Sequence, residues 1–181
     1  MKKLFTVAMF ATALVTGIQA CGQEEDKSKR LSPPATVTEK IKSGATISIA
    51  YSQPSVKDPK TGAERTIGKN LEPMDGQVWR TGANEATVFE TDKDVIINGK
   101  KLSAGKYGLF TLFSGQDVTL IFSKTWQQWG AFKYDAKDDA LRVPVKYTTA
   151  SSPTERMTFK ISPAGTVTLL WGNRKVDFNV N

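Results

Sequence analysis

From about residue 40 onward the apolar positions recur with a period of two, broken at short intervals by Gly, Pro, Asn and Asp. Such alternation predicts half-buried strands rather than helices. Segment 46–51 places Ile47, Ile49 and Tyr51 on one face, and Ser52-Gln53-Pro54 ends it. Residues 57–70 are rich in charge, Gly and Pro and read as a long loop. Short strands are predicted over 86–90 and 94–97, the second running into Asn98-Gly99, a hairpin signal because both turn positions need positive φ. In 107–113, Tyr107, Leu109, Thr111 and Phe113 share one face while Phe110 and Leu112 occupy the other. Apolar residues on both faces predict a central strand covered on both sides. Further strands are predicted over 118–122, 141–147, 154–161, 167–171 and 176–180. Only 123–131 looks helical or irregular. Nine or ten short strands without crossover helices predict an all-β fold, an antiparallel β-sandwich of jelly-roll-like kind, with a partly closed barrel as the other solution.

The N-terminus follows a different pattern. Lys2 and Lys3 precede an apolar run over 4–17, the length of a signal h-region and short for a membrane span. It ends in Ile18-Gln19-Ala20-Cys21, which resembles a bacterial lipobox, with acylation of Cys21 and cleavage before it. The alternative is a secreted protein cut after Ala20 that keeps a free thiol. The polar run 22–30 and Ser32-Pro33-Pro34 read as a tether. The expected organisation is a signal peptide over 1–20, a flexible tether over 21–39 and a single domain over 40–181. Lipid chains on Cys21 would make the bilayer a partner without any spanning helix. Gly22 in place of Asp lacks an inner-membrane retention signal, so the expected site is the outer membrane, on its periplasmic or surface face.

Composition narrows the chemistry. Loss of Lys2 and Lys3 with the signal lowers the formal net charge from +7 to +5. The charges are interspersed, with no basic run carrying interleaved aromatics, so nucleic acid is not an expected partner. There is no His and only one Cys. Imidazole catalysis, an intramolecular disulfide and multi-cysteine metal sites are therefore excluded. No cofactor is expected.

Two segments carry candidate ligand contacts. The first, 78–87, holds Trp79, Arg80, Asn84 and Glu85 just before a strand. Arg80 is a candidate fork for an anionic or carboxylate ligand, Asn84 a reader of sugar hydroxyls, and Glu85 a base or an acceptor for Arg80. The competing reading is an Arg80–Glu85 pair that braces a loop. The second segment, 126–134, holds Trp126 and Trp129, three apart; on a helical turn they would share a face and form a stacking platform. The competing reading makes them a cap on the core, with Gln127 and Gln128 at the rim. Tyr51 and Lys57 complete the candidate set. Glycoside hydrolysis needs only two carboxylates, and Glu72, Asp75, Glu85, Asp138 and Asp139 are present, but no spacing singles out a pair.

Several stretches together resemble a bacterial family of uncharacterised proteins, DUF2911. They are 50–57 (Ala-Tyr-Ser-Gln-Pro-Ser-Val-Lys), 78–87 (Val-Trp-Arg-Thr-Gly-Ala-Asn-Glu-Ala-Thr), 97–102 with 104–107, Trp126-Gln127-Gln128-Trp129-Gly130, 139–143 and 154–159. The resemblance spans about 40–180. The chain departs from it between Asp58 and Asp75, where an insertion precedes Arg65, the residue that matches the family's Arg. The resemblance implies an exported envelope protein and no particular reaction. The resulting expectation is a lipid-anchored envelope protein that binds a glycan, a small molecule or another envelope protein without catalysis. The alternatives are a carboxylate-dependent hydrolase using Glu85 and Arg80, and a structural accessory protein.

Overall fold

The computed structural model describes residues 26–181; the signal expected at 1–20, Cys21 and the first residues of the tether lie outside the described residues. Ten strands follow in chain order: β1 Pro34–Lys40, β2 Thr46–Ser52, β3 Val78–Trp79, β4 Thr87–Thr91, β5 Val95–Ile97, β6 Lys100–Leu102, β7 Gly105–Ser114, β8 Asp117–Ser123, β9 Asp139–Ile161 and β10 Thr166–Asn179. The described residues contain no helix beyond two short 3-10 turns. The strands pair in the order β1-β2-β4-β7-β8-β9-β10, every pair antiparallel, with β3 joined to β7 and the β5–β6 hairpin separate. The expected all-β antiparallel fold is present, built as a meander in which neighbours in sequence are mostly neighbours in space.

The sheet becomes two layers because β9 serves both. Its first half pairs with β8 and its second half with β10. The alternation predicted two strands here, separated near Pro153, and two more in the stretch that forms β10. Instead each pair is one continuous strand, and the register shifts around Gly172 absorb the bend. Bulges of this kind turn a strand without ending it, and they leave room for a residue such as Pro153 that lacks an N–H. The β9–β10 hairpin then lies across the face of the other strands. Met157 N donates to Pro54 O at 3.0 Å and Val56 N to Glu155 O at 2.9 Å, tying it to the chain beyond β2.

Aromatic contacts fill the space between the layers. Phe122 of β8 meets Phe89 of β4 edge-on at 5.1 Å and Phe178 of β10 at 6.2 Å. Tyr51 of β2 meets Phe159 of β9 at 5.0 Å, and Trp79 of β3 stacks on Trp171 of β10 at 5.3 Å with the rings 12° from parallel. Offset and edge-to-face pairs of this kind favour one arrangement over its neighbours.

The second face of β7 is also covered, as its pattern predicted. Phe110 and Ile121 are fully buried there with Ala86, beneath Ala131 and Tyr134 of the loop after β8. That loop is not helical. It lies close because Gly108 of β7 has no side chain: a Cβ there would sit 3.2 Å from Thr125 O and 3.3 Å from the Trp126 Cα. The tether expectation changes as well. Residues 34–40 form β1 on β2, since Ala35, Val37 and the flanking threonines alternate and extend readily.

Phe122→Ala, at a site with 0% exposure, should lower stability by about 3–5 kcal/mol. Phe132→Ala, at 84% exposure, should change it by no more than about 0.5 kcal/mol. Urea unfolding of the two variants beside the parent checks both values.

Candidate functional site

The two segments singled out by their composition come together in space. The 80–86 loop leaves β3 and enters β4, closed by Thr87 N donating to Arg80 O at 3.1 Å and Thr87 Oγ1 to Thr81 O at 2.7 Å. Thr81 and Asn84 hold φ of 52° and 58°, so the chain reverses twice within five residues. Ala86 N donates to Gln128 O at 3.0 Å and Gly130 N to Asn84 O at 2.9 Å, which binds this loop to 126–130 along their backbones. Trp129 sits on the seam, 55% exposed.

A hollow opens on each side of Trp129. One is a mostly apolar groove of about 540 Å³, lined by Trp126, Trp129, Tyr51, Ala50 and Val88, with Glu85 and Gln127 among its polar groups. The other is a polar cleft of about 560 Å³, lined by Arg30, Arg65, Arg80 and Lys60 against Asp58 and Glu72, with Trp129, Trp171 and Asn84.

Glu85 and Arg80 do not pair. Arg30 Nη1 donates to both Glu85 oxygens, at 3.0 and 2.9 Å, and Lys27 Nζ lies 3.1 Å from Oε1. The left-handed turn at Asn84 separates the two side chains, sending Glu85 to the groove and Arg80 to the cleft. Burial pushes the Glu85 carboxyl up, but the hydrogen bonds from Arg30 and Lys27 outweigh it and leave the group below its ordinary value. For Arg80, burial lowers the guanidinium and the charge of Glu72 opposes it. The Arg80 side chain makes no hydrogen bond or ion pair among the described residues, and its Nε is sealed from solvent without an acceptor.

The remaining candidates divide between brace and site. Asn84 is a brace: its Nδ2 donates to Ser32 O at 3.0 Å and to Ser52 Oγ at 3.3 Å, holding the segment before β1 against the loop. Trp126 and Trp129 share the groove, but by way of an irregular loop rather than a helical face. Each carries a cation, Lys106 at 5.5 Å and Arg30 at 5.6 Å from the respective ring centroid. Gln128 is not a rim residue; it is buried, with Nε2 donating to Thr125 O at 2.9 Å. Tyr51 lines the groove but belongs to the core, its hydroxyl accepting from Phe159 N at 3.0 Å. Lys57 lies outside both hollows, because the 57–70 loop folds on itself and pairs it with Glu64 at 3.0 Å.

Arg65 is held in that loop, donating to the carbonyls of Ser55, Val56 and Lys57. The acidic residues near 135–139 are also engaged. Asp135 accepts from Lys137 N, Asp138 from Thr125 Oγ1, and Asp139 from Tyr134 and Arg142. Burial first, and then Asp139, push the Tyr134 hydroxyl up to about 12. No cluster of three metal-ligating side chains occurs among the described residues.

Sequence reasoning missed Arg30 and Trp171, and named Glu72 only among the carboxylates available for hydrolysis. Arg30 sat in a charged run that reads as tether. Glu72 and Trp171 carried no signal linking them to Arg80, since only the folded chain brings 72, 80 and 171 to one cleft.

Fold and site together define a small all-β domain with an aromatic groove and a cationic cleft divided by one exposed indole. The chain belongs to the DUF2911 family of proteins of unknown function, whose model matches residues 32–180. No curated protein and no solved structure matches it.

The Glu85 contacts set a pH dependence. A carboxyl held below its ordinary value of 4.5 adds stability above that pH and loses it as pH falls through the folded value. The side chain is 39% exposed, so the contribution should be about 1 kcal/mol or less. Urea unfolding should show Glu85→Gln less stable than the parent at pH 7, with the gap narrowing towards pH 3. A gap that widens in acid is the opposite sign and contradicts the assignment.

Proposed function

We propose that the protein is a lipid-anchored domain of the cell envelope that binds glycans without catalysis in the groove beside Trp129. The observation that carries this reading is Trp129 itself, a large aromatic left 55% exposed at the edge of an apolar groove that Trp126 also lines. Leaving an indole in water forgoes its burial, and a stacking surface for the apolar face of a sugar ring accounts for it. Glu85 and Gln127 supply acceptors and donors for hydroxyl groups at the same groove. Because Arg30 and Lys27 hold Glu85 ionised, it suits an acceptor of hydroxyl hydrogen bonds better than a proton donor to a leaving group. This favours binding over hydrolysis.

The anchor reading rests on the basic start, the apolar run over 4–17 and Ala20-Cys21. Three acyl chains, each stabilised by about 0.8 kcal/mol per buried CH2, would hold the domain at a bilayer. The outer membrane is the proposed location, on either face.

On a glycan array, Trp129→Ala should reduce the signal at least about tenfold with little loss of stability, since the ring is exposed. An unchanged signal removes the platform. Separately, Cys21→Ser should move the protein from the membrane fraction to the soluble fraction after cell lysis. A variant that stays wholly with membranes refutes acylation at that residue.

A further inference from the structure

We infer that the cleft on the far side of Trp129 is a carboxylate subsite anchored by Arg80, so that the ligand is an acidic glycan bearing uronic acid units. The inference deepens the glycan reading of the groove and rests on it for the sugar, though not for the anion.

The argument begins with cost. A guanidinium partly removed from water without a partner is unfavourable, and proteins ordinarily supply a carboxylate or a set of carbonyls. The other arginines of the cleft follow that rule. Arg30 is held by Glu85, and Arg65 by three backbone carbonyls with Asp58 at 3.9 Å. Arg80 does not. Among the described residues it has no ion-pair or hydrogen-bond partner, its Nε is buried without an acceptor, and Glu72 acts on it only through space. What the cleft offers a ligand is the open end of an unpartnered guanidinium, which complements an acceptor-only group.

Charge selects the kind of anion. With Arg30 and Arg65 engaged, Arg80 is the arginine of the cleft without a direct partner, and Glu72, which acts on it through space, lines the same cleft. Glu72 would repel a dianion more than a monoanion. A planar monoanion that takes two parallel N–H donors from one guanidinium is a carboxylate.

Position supplies the sugar. Trp129 lines both hollows, so a chain with one ring stacked on the groove side has its neighbouring unit at the cleft. Arg80 lies beside Gly130, next to Trp129: a Cβ on that glycine would sit 3.6 Å from Nη1.

The test titrates the purified protein with galacturonate oligomers, with the same oligomers methyl-esterified, with free galacturonate and with inorganic phosphate. Binding is followed by calorimetry and by Tm. The acid oligomer should bind about 10–100-fold more tightly than the ester, as expected for a two-point charge-assisted contact. Arg80→Met should bind acid and ester alike, and without ligand its Tm should equal or exceed that of the parent, because an unpaired cation has been removed. Arg80→Lys should keep only part of the preference, since it retains the charge but not the fork.

Equal binding of acid and ester by the parent overturns the proposal, as does an acid preference that survives in Arg80→Met. Phosphate stabilising the parent as well as galacturonate does at equal concentration overturns the carboxylate assignment. If acid and ester bind alike and Trp129→Ala weakens both, the groove stands and the subsite falls. If neither oligomer binds but free galacturonate raises the parent's Tm and not that of Arg80→Met, the subsite stands and the glycan groove falls.

Discussion

The stack of Trp79 on Trp171 is the contact on which the site depends. It joins β3, a strand of two residues, to β10 in the opposite layer. A strand so short has little hold on its neighbour through backbone hydrogen bonds alone. Two large, nearly parallel rings give it a fixed position, and the chain leaving it therefore starts the 80–86 loop from a defined point. Both indole N–H groups are buried without acceptors. The pair is thus held by packing rather than by polar contacts, a cost accepted at the one place where the layers must be pinned beside the cleft.

From that point the site is assembled by backbone. Loops are ordinarily the mobile part of a sandwich, yet here 80–86 and 126–130 hydrogen-bond to each other as two short strands would. The side chains that line the two hollows are consequently carried by ordered main chain. Thr81 Oγ1 donating to Thr111 Oγ1 at 3.1 Å ties the first loop to β7, and Gly108 lets the second lie directly upon the same strand. One central strand, apolar on both faces, thus supports the core on one side and the site on the other.

The fold was largely legible in the alternation of residues such as Ile47, Ile49 and Tyr51, because the pattern records which face meets the core. The Asn98-Gly99 turn was equally plain, with φ of 43° and 84° as that dipeptide demands. The continuity of β9 and β10 was not, since bulges at Gly172 and the gap at Pro153 look like strand ends in one dimension. Within the site, Trp129 and Arg80 were visible as unusual residue types. Their partners were not. Which acid meets which base depends on the left-handed turn at Asn84 and on the approach of residues 27–32, and neither follows from spacing. The Arg80–Glu85 pairing failed for that reason: proximity along the chain is a poor guide where the backbone reverses direction between two residues.

The fixing of residues 27–33 has a consequence for where the domain works. Arg30 on Glu85, Lys27 on Glu85 and Ser32 on Asn84 mean that the chain is already fastened to the domain within 27–32. Four residues separate Asp26 from Cys21, five Cα–Cα steps with a contour of at most about 18 Å at full extension. An acylated Cys21 would therefore hold the seam at Trp129 within one short leash of the lipid headgroups, with the groove and cleft on the membrane-proximal end of the sandwich. The molecules a site so anchored would meet are those lying along the membrane surface, and its effective ligand concentration would be set by what is displayed there rather than by what diffuses in the surrounding fluid.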